Sequence, residues 1–268
     1  MRPDQIKNKK VIIAPLDWGM GHVTRSLALI SELLVNQNEI IFAGTEEQID
    51  IAKQDFPKLI FELIAGYDIS LDSKKSTYWQ MLSQSAKMAK SIKREAEVAN
   101  ELSDKYEADI IISDNRYGFK SAKCANIFLT HQLSPPVPKF QALVSNKIVK
   151  WVNEFDLCWI PDSDSEPLCQ ELHDTKLKIP KVLIGTLSRL KFESREKKNE
   201  ILFISSGPEP ERSRFENLMI GQLDKVGMAF KVVGQNQRNE LFYCINPSAS
   251  ELQNLINESN LIICKAGY

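Results

Sequence analysis

The chain has 268 residues, of which 43% are hydrophobic and 26% charged, a composition typical of a globular protein with one large or two ordinary domains. The formal net charge of −1 offers no positive footprint to a polyanion, so nucleic-acid binding is not expected. The five cysteines are scattered without a CxxC pair, which predicts reduced thiols in a cytoplasmic protein and excludes a disulfide framework. No apolar run approaches the roughly 18 residues of a membrane span.

Strands and helices alternate through residues 1–186, which predicts an N-terminal Rossmann-like domain with a doubly wound parallel sheet. Short apolar runs predict strands at 10–16, 39–44, 58–64, 108–114, 127–132 and 156–162. Helical spacing of apolar residues predicts helices at 23–34, 45–56, 76–105, 121–126 and 142–155.

The alternation restarts after a polar, charged linker at 187–199. Predicted strands at 200–207, 229–234, 241–246 and 261–267, with helices at 210–227 and 248–260, indicate a second Rossmann-like domain over 200–268. Those residues supply only about half the length that a doubly wound domain normally needs. The sequence is therefore expected to be a C-terminally truncated fragment.

The loop LDWGMGHVTRS places Gly19, Gly21 and His22 where the first strand turns into a helix. In a doubly wound sheet with strand order 3-2-1-4-5, ligands bind in the crevice outside the carboxyl ends of strands one and four. Asp114 ends the fourth strand and His131 lies in the fifth, so both are expected to meet His22 in space. An imidazole oriented by a carboxylate is the arrangement that a general base requires.

Two simpler interpretations of this loop stay open. Gly19 and Gly21 could form only a tight turn, with His22 capping the helix or packing against it. GMGHVT also resembles the dinucleotide fingerprint GxGxxG, and Glu46 after the second strand could bind a ribose. Thr24 occupies the position of the third glycine, which would keep helix and strand from the close approach that a dehydrogenase uses.

The second domain has its own turn, SSGPEPER, after its own first strand. Ser206 and Gly207 lie just before a helix whose free N–H groups and dipole suit a diphosphate. Glu209 and Glu211 oppose this interpretation, because they bring negative charge to the same helix start. The alternative is that these two carboxylates stabilise the helix dipole and no ligand binds there.

The ordered set GMGHVTRSLAL, IISDNRYG, FLTHQL, ISSGPEPERSRFE and IICKAGY resembles the GT-B glycosyltransferases. It is most similar to the family 28 type, which includes the MurG-like N-acetylglucosaminyltransferases of peptidoglycan synthesis. The resemblance implies two Rossmann-like domains, an N-terminal one for the acceptor and a C-terminal one for a nucleotide-sugar donor, usually linked to UDP. It also implies transfer with inversion and neither a metal nor a cofactor, because helix N-termini neutralise the leaving diphosphate.

The resemblance assigns roles to individual residues. Gly19, Gly21 and His22 match the family's glycine-rich loop, which makes His22 the expected general base, and Asp114 is expected from the geometry to orient it. Further phosphate neighbours on the donor side are assigned to the second domain. These donor-loop positions are Ser206, Gly207 and Gly267. The rest of the second donor loop is expected beyond the end of this sequence.

The acceptor is less well defined, because Trp18 and Arg25 stand where the peptidoglycan enzyme's first loop has an extra glycine and a proline. A glycan or lipid-linked acceptor fits the resemblance. The helix predicted at 76–105 and the residues before it carry a basic and partly aromatic set that could contact anionic lipid at the inner face of a membrane. The set comprises Lys74, Lys75, Trp79, Met81, Lys87, Lys90, Lys93 and Arg94.

The alternative for this helix is a solvated face with Trp79 and Met81 in the core.

Two other functional classes also stay open for the whole chain. A nucleotide-sugar 2-epimerase shares the fold and the donor site but needs no acceptor groove. A non-catalytic subunit that binds a sugar nucleotide would need no base at all.

Overall fold

The computed structural model describes residues 1–18, 20–67, 85–135, 141–168, 170–191, 193–207, 210–234, 243–245 and 247–265. The chain divides into two compact units, Met1–Ser188 and Arg189–Tyr268. Each unit has a parallel β-sheet with helices between the strands. The prediction of two Rossmann-like α/β units is thereby confirmed.

The first unit has a seven-stranded sheet in the order β3-β2-β1-β4-β5-β6-β7, in which all neighbouring strands are parallel. Its strands are β1 (Lys10–Pro15), β2 (Glu39–Gly44), β3 (Ile60–Leu63), β4 (Ile110–Asp114), β5 (Ala125–Leu129), β6 (Leu157–Ile160) and β7 (Lys181–Leu183). Its helices are a 3-10 turn (Pro3–Gln5), α1 (Met20–Val35), α2 (Glu46–Asp55), α3 (Ser85–Tyr106), α4 (Gln141–Val152) and α5 (Gln170–His173). The strand order reverses between β1 and β4, which places a crevice there.

The core of this unit lies on both faces of the sheet, as the continuous apolar runs predict. Alternate residues of a strand point to opposite faces. Val11 and Ile13 of β1 therefore pack into one cluster together with the buried face of α1, whereas Ile12 and Ala14 pack into a second cluster that includes residues of α3. Both faces of β1 are consequently covered up to its carboxyl end at the crevice.

Two local predictions in this unit are wrong. Residues 121–124 form a turn and residues 125–126 begin β5, so the helix predicted at 121–126 is wrong. The buried Asn126 side chain explains the difference, because it accepts from the Ser121 N–H at 2.8 Å and donates to the Ser121 carbonyl at 2.8 Å. These two hydrogen bonds close the turn and take the place of the backbone bonds that a helix would make here. The short strand β7 was not predicted, because only three residues of a mixed run form it.

The second unit has a four-stranded parallel sheet in the order β10-β9-β8-β11. Its strands are β8 (Lys198–Ile204), β9 (Ala229–Gly234), β10 (Tyr243–Ile245) and β11 (Ser259–Cys264), and its helices are α6 (Glu211–Val226) and α7 (Ala249–Glu258). Ile201, Phe203, Leu223 and Val232 form its buried core. Helix α6 ends at Gly227 with φ 71°, a left-handed residue of the kind that commonly terminates helices.

Candidate active site

The candidate site lies at the carboxyl edge of the first sheet, where β1 and β4 are neighbours. Pro15 pairs with Asp114 in the ladder, and the Leu16 N–H donates to the Asp114 carbonyl at 2.9 Å. The loop that follows β1 and the residues that follow β4 therefore start from adjacent points. The register brings the first turn of α1, which carries His22, over the end of β4.

His22 and Asp114 are in contact. The Nδ1 atom of His22 lies 2.8 Å from Oδ1 of Asp114, whose side chain is fully buried, whereas the His22 side chain is 16% exposed. Arg25 NH2 also lies 3.0 Å from His22 Nδ1, so this nitrogen faces both a carboxylate that only accepts and a guanidinium that only donates. We assign the imidazole proton to Nδ1 because its contact with Asp114 is the shorter of the two. The Nε2 atom then carries the lone pair, and among the described residues it has no hydrogen-bond partner.

Arg25, three residues after His22, is the third member of this site and was not predicted to belong to it. Its Nε donates to Asp114 Oδ2 at 3.0 Å, and its NH2 group donates to Oδ1 of the same carboxylate. Burial alone would raise the pKa of Asp114, but the charges and hydrogen bonds of Arg25 and His22 outweigh it and lower the pKa to about 2. Asp114 is therefore a carboxylate throughout the physiological range.

The same guanidinium reaches a second histidine. Arg25 NH1 lies 2.6 Å from Nδ1 of His131, just beyond the end of β5. Burial and the adjacent Arg25 charge lower the pKa of His131 to about 4, so this ring is neutral near pH 7. Because arginine only donates, Nδ1 of His131 accepts, and its proton is assigned to Nε2. Arg25 thus lies against Nδ1 of both histidines, and the proton assignments, set by Asp114 for His22 and by Arg25 for His131, give them opposite tautomers.

The second unit presents a turn at the carboxyl end of β8. Gly207 has φ 108°, a left-handed conformation that favours glycine, and a Cβ there would lie 3.6 Å from the Lys265 ammonium. Lys265 follows β11, the neighbour of β8. A backbone turn and a cation therefore adjoin the position of Ser206 and Gly207. Glu211 is in the first turn of α6, as the opposing interpretation requires.

Several candidates proposed from the sequence lie outside the described residues. They are Gly19, Gly267 and Glu209, together with Lys74, Lys75, Trp79 and Met81 of the basic set. Gly21 lies in the first turn of α1, exposed and beside His22. No trio of His, Cys, Asp or Glu with metal-binding geometry occurs within the described ranges. None of the helices that can be described is long and apolar enough to cross a bilayer.

Two parallel α/β sheets of this topology match the two Rossmann-like domains of the GT-B class of fold, as the similarity to solved glycosyltransferases shows. The sequence matches no protein-family model and no curated protein. Several solved glycosyltransferase structures are nevertheless similar to the chain in fold, at 10–15% sequence identity.

Three of these structures illustrate the likeness. The UDP-glucosyltransferase from Polygonum tinctorium that glucosylates indoxyl gives a TM-score of 0.56 at 14% identity, over 98% of this chain and 72% of that one. The glycotransferase of kitacinnamycin gives 0.57 at 11% identity, over 97% and 76%. MurG from Acinetobacter baumannii gives 0.50 at 12% identity, over 97% and 73%. The structural similarity establishes the fold, but at identities this low the activity must be argued from the site.

Proposed function

We propose that the chain is a glycosyltransferase that moves a sugar from a nucleotide-sugar donor to an acceptor hydroxyl, with His22 as the general base. The observation that carries the proposal is the 2.8 Å contact between His22 Nδ1 and the buried Asp114 carboxylate at a strand-order reversal. This contact leaves the Nε2 lone pair of a partly exposed ring as the proton acceptor. The fold shared with solved glycosyltransferases supports the reaction class.

The proposed step is a single displacement. His22 Nε2 takes the proton of the acceptor hydroxyl while that oxygen forms a bond to the anomeric carbon. The bond from that carbon to the donor phosphate breaks, and the electron pair leaves with the nucleoside diphosphate. One displacement inverts the anomeric configuration. Asp114 stabilises the imidazolium that forms, because its carboxylate already accepts the Nδ1 proton.

In this proposal the donor binds at the carboxyl edge of the second sheet. The backbone of Ser206 and Gly207, the start of α6 and the Lys265 ammonium would neutralise the diphosphate without a metal ion. Gly19, Gly21 and Gly267 remain proposed phosphate-loop positions on the resemblance alone. UDP as the nucleotide, membership of the family 28 type and a lipid-linked acceptor remain parts of the proposal that follow from the resemblance.

The test is His22→Ala, assayed for transfer with a panel of UDP-sugars and hydroxyl acceptors. We expect the rate to fall by about 100- to 10,000-fold, the contribution typical of a positioned base, while donor affinity measured by calorimetry is retained. His173→Ala is the matched control, since His173 also contacts a buried aspartate, Asp162, at 2.9 Å in the same unit. Unchanged turnover in His22→Ala would remove the base role.

The same assay separates the other functional classes. Incubation with donor and no acceptor would yield the C2 epimer if the chain were an epimerase. Donor binding without turnover under every condition would indicate a non-catalytic subunit. Transfer that requires an acceptor and depends on His22 supports the proposal against both.

A further inference from the structure

A fully buried arginine lies beside the candidate site and has no part in the proposed proton transfer. Arg116 follows β4 by two residues and has 0% exposure. Its Nε donates to the Pro15 carbonyl at 2.8 Å, and its NH1 donates to the Ala65 carbonyl at 3.2 Å. Asn115, with φ 57°, turns the chain sharply between Asp114 and Arg116. Asp114 and Arg116, on either side of this turn, thus contact His22 and Pro15, which flank the loop between β1 and α1.

Arg116 is the centre of a set of four side chains that we call the Arg116 network: Asp17, Tyr67, Glu95 and Arg116. NH1 of Arg116 donates to Glu95 Oε1 at 2.8 Å, and the Tyr67 hydroxyl donates to Glu95 Oε2 at 2.6 Å. The Tyr67 N–H donates to the Asp17 carboxylate at 3.1 Å. Arg116 NH2 has no hydrogen-bond partner among the described residues and lies 3.9 Å from Asp17 Oδ1.

Stability alone is a weak reason for such a network. Desolvation of two buried ions offsets much of their attraction, and apolar side chains of similar volume often stabilise a protein as well. Burial raises the pKa of Glu95 above its ordinary value even though Arg116 and Tyr67 lower it, so desolvation outweighs these contacts at this carboxyl group. The network instead adds directional hydrogen bonds. Apolar packing beside it is incomplete, since a cavity of about 50 Å³ borders Tyr67, Glu95 and Arg116.

The bonds converge on the loop that leads into α1 and His22. Pro15 and Asp17, which Arg116 and Tyr67 contact, precede His22 by only seven and five positions. The Trp18 ring packs edge-on against Tyr67, with centroids 6.1 Å apart. Gly66 lies against the Asp17 side chain, since a Cβ at Gly66 would overlap Oδ2 of Asp17.

We propose that the Arg116 network positions the loop between β1 and α1 and thereby holds His22 against Asp114. Arg116, Glu95 and Tyr67 are positioning residues in this proposal, because they act through the loop and not on the substrate. The catalytic consequence rests on the proposed function, whereas the effect on the His22 ring does not. The ring therefore provides a readout that is independent of transfer.

The experiment measures both the protonation of the His22 ring and the rate of transfer. The chain has only three histidines, so selective ¹⁵N labelling resolves each ring, and correlation through the carbon-bound ring protons reports which nitrogen is protonated. In Arg116→Met/Glu95→Gln, we expect His22 to lose its preference for protonation at Nδ1, while His173, paired with Asp162, stays unchanged as an internal reference for folding. We expect kcat to fall by about 100-fold, the effect of a displacement near 1 Å.

Gly66→Ala is the second variant, because it keeps every charge and displaces only Asp17. It decides the question if the double variant does not fold. Gly221→Ala is its control, since a Cβ at Gly221 in α6 meets open space. An unaltered His22 tautomer together with an unaltered kcat in the folded variants would overturn the proposal.

The two proposals fail in different ways. If His22→Ala leaves transfer intact while the network variants still change the His22 ring, the base role is lost and the positioning role stands. If His22→Ala abolishes transfer while the network variants alter neither the ring nor kcat, the positioning role is lost and the base role stands.

Discussion

His22 Nδ1 and Asp114 Oδ1 are 2.8 Å apart although 92 residues separate them in the chain. The contact exists because β1 and β4 are parallel neighbours whose carboxyl ends finish together, with Pro15 opposite Asp114. Arg25 completes the arrangement by donating to both oxygens of that carboxylate. The Asp114 carboxylate therefore contacts Arg25 and His22 at once, and its negative charge keeps these two side chains together.

Asp114→Asn tests whether this carboxylate fixes the tautomer of His22. An asparagine amide can donate to Nδ1, which would move the imidazole proton to Nε2 and remove the lone pair that the base needs. We expect kcat to fall by about 1,000-fold, with ring protonation at Nε2 in the ¹⁵N spectrum of His22. Asp162→Asn is the matched control, because it alters the other buried aspartate with a histidine partner. Retained Nδ1 protonation and normal turnover in Asp114→Asn would contradict the expectation.

The low pKa of His131 predicts how stability depends on pH. The unfolded chain binds the proton near pH 6.5 and the folded chain near pH 4, so the unfolded state holds more protons between these values. The free energy of unfolding should therefore decrease as pH falls from about 6.5 to about 4, by up to about 3 kcal/mol before solvent screening is allowed for. The stabilisation from Asp114 is lost only at lower pH, as pH falls from its unfolded value of 3.8 through about 2.

Urea unfolding at several pH values between about 4 and 7 measures the His131 effect. His131→Asn keeps an oxygen that can accept from Arg25 but cannot bind a proton. Its stability should change less with pH over this window than that of the parent chain. Parallel pH profiles for the two proteins would exclude His131 as the source.

The sequence predicted the parts of this site that follow from strand order. A buried run ending at Asp114 and a glycine loop before His22 were enough to bring those two residues together, because parallel strands share a carboxyl edge. Arg25 was identified from the sequence only as a departure from the family's first loop. Its place in the site was not predicted, because no periodic signal distinguishes a helix residue three positions after His22 from a solvated cation. Only the three-dimensional contact with Asp114 identifies it.

Arg116 and Glu95 were missed for a related reason. Both are ordinary surface residue types, and their burial depends on how α3 lies over the end of β4. The turn at 121–124 was mispredicted as part of a helix, because the two hydrogen bonds between Asn126 and Ser121 that close it leave no composition signature. Apolar runs thus predicted the described strands other than β7, whereas polar side chains that replace backbone partners had to be seen in the structure.

Gly118→Ala tests the close approach of the loop after β4 to α3. A Cβ at Gly118 would overlap the carbonyl oxygen of Ile92, a backbone atom that cannot move without shifting the helix. We expect the free energy of unfolding to fall by about 1–3 kcal/mol, the usual cost of overpacking. Gly221→Ala should instead stabilise the chain by roughly 0.5–1 kcal/mol, because it has open space in a helix. Equal stability of the two variants by urea unfolding would contradict this account.

Gly207→Ala tests the proposed donor turn in the second unit. At φ 108° an alanine is strained, and relief of that strain would move the backbone N–H groups that are proposed to face the diphosphate. We expect the Kd for a UDP-sugar to rise by about tenfold, which corresponds to about 1.4 kcal/mol. Gly227→Ala provides the comparison, because Gly227 has φ 71°, has open space at its Cβ position and only terminates α6. Both variants should lose similar stability, since each places alanine in the left-handed region, but only Gly207→Ala should weaken donor binding in calorimetry. If both variants weaken it equally, the effect comes from strain in the second unit and the turn after β8 does not hold the phosphates.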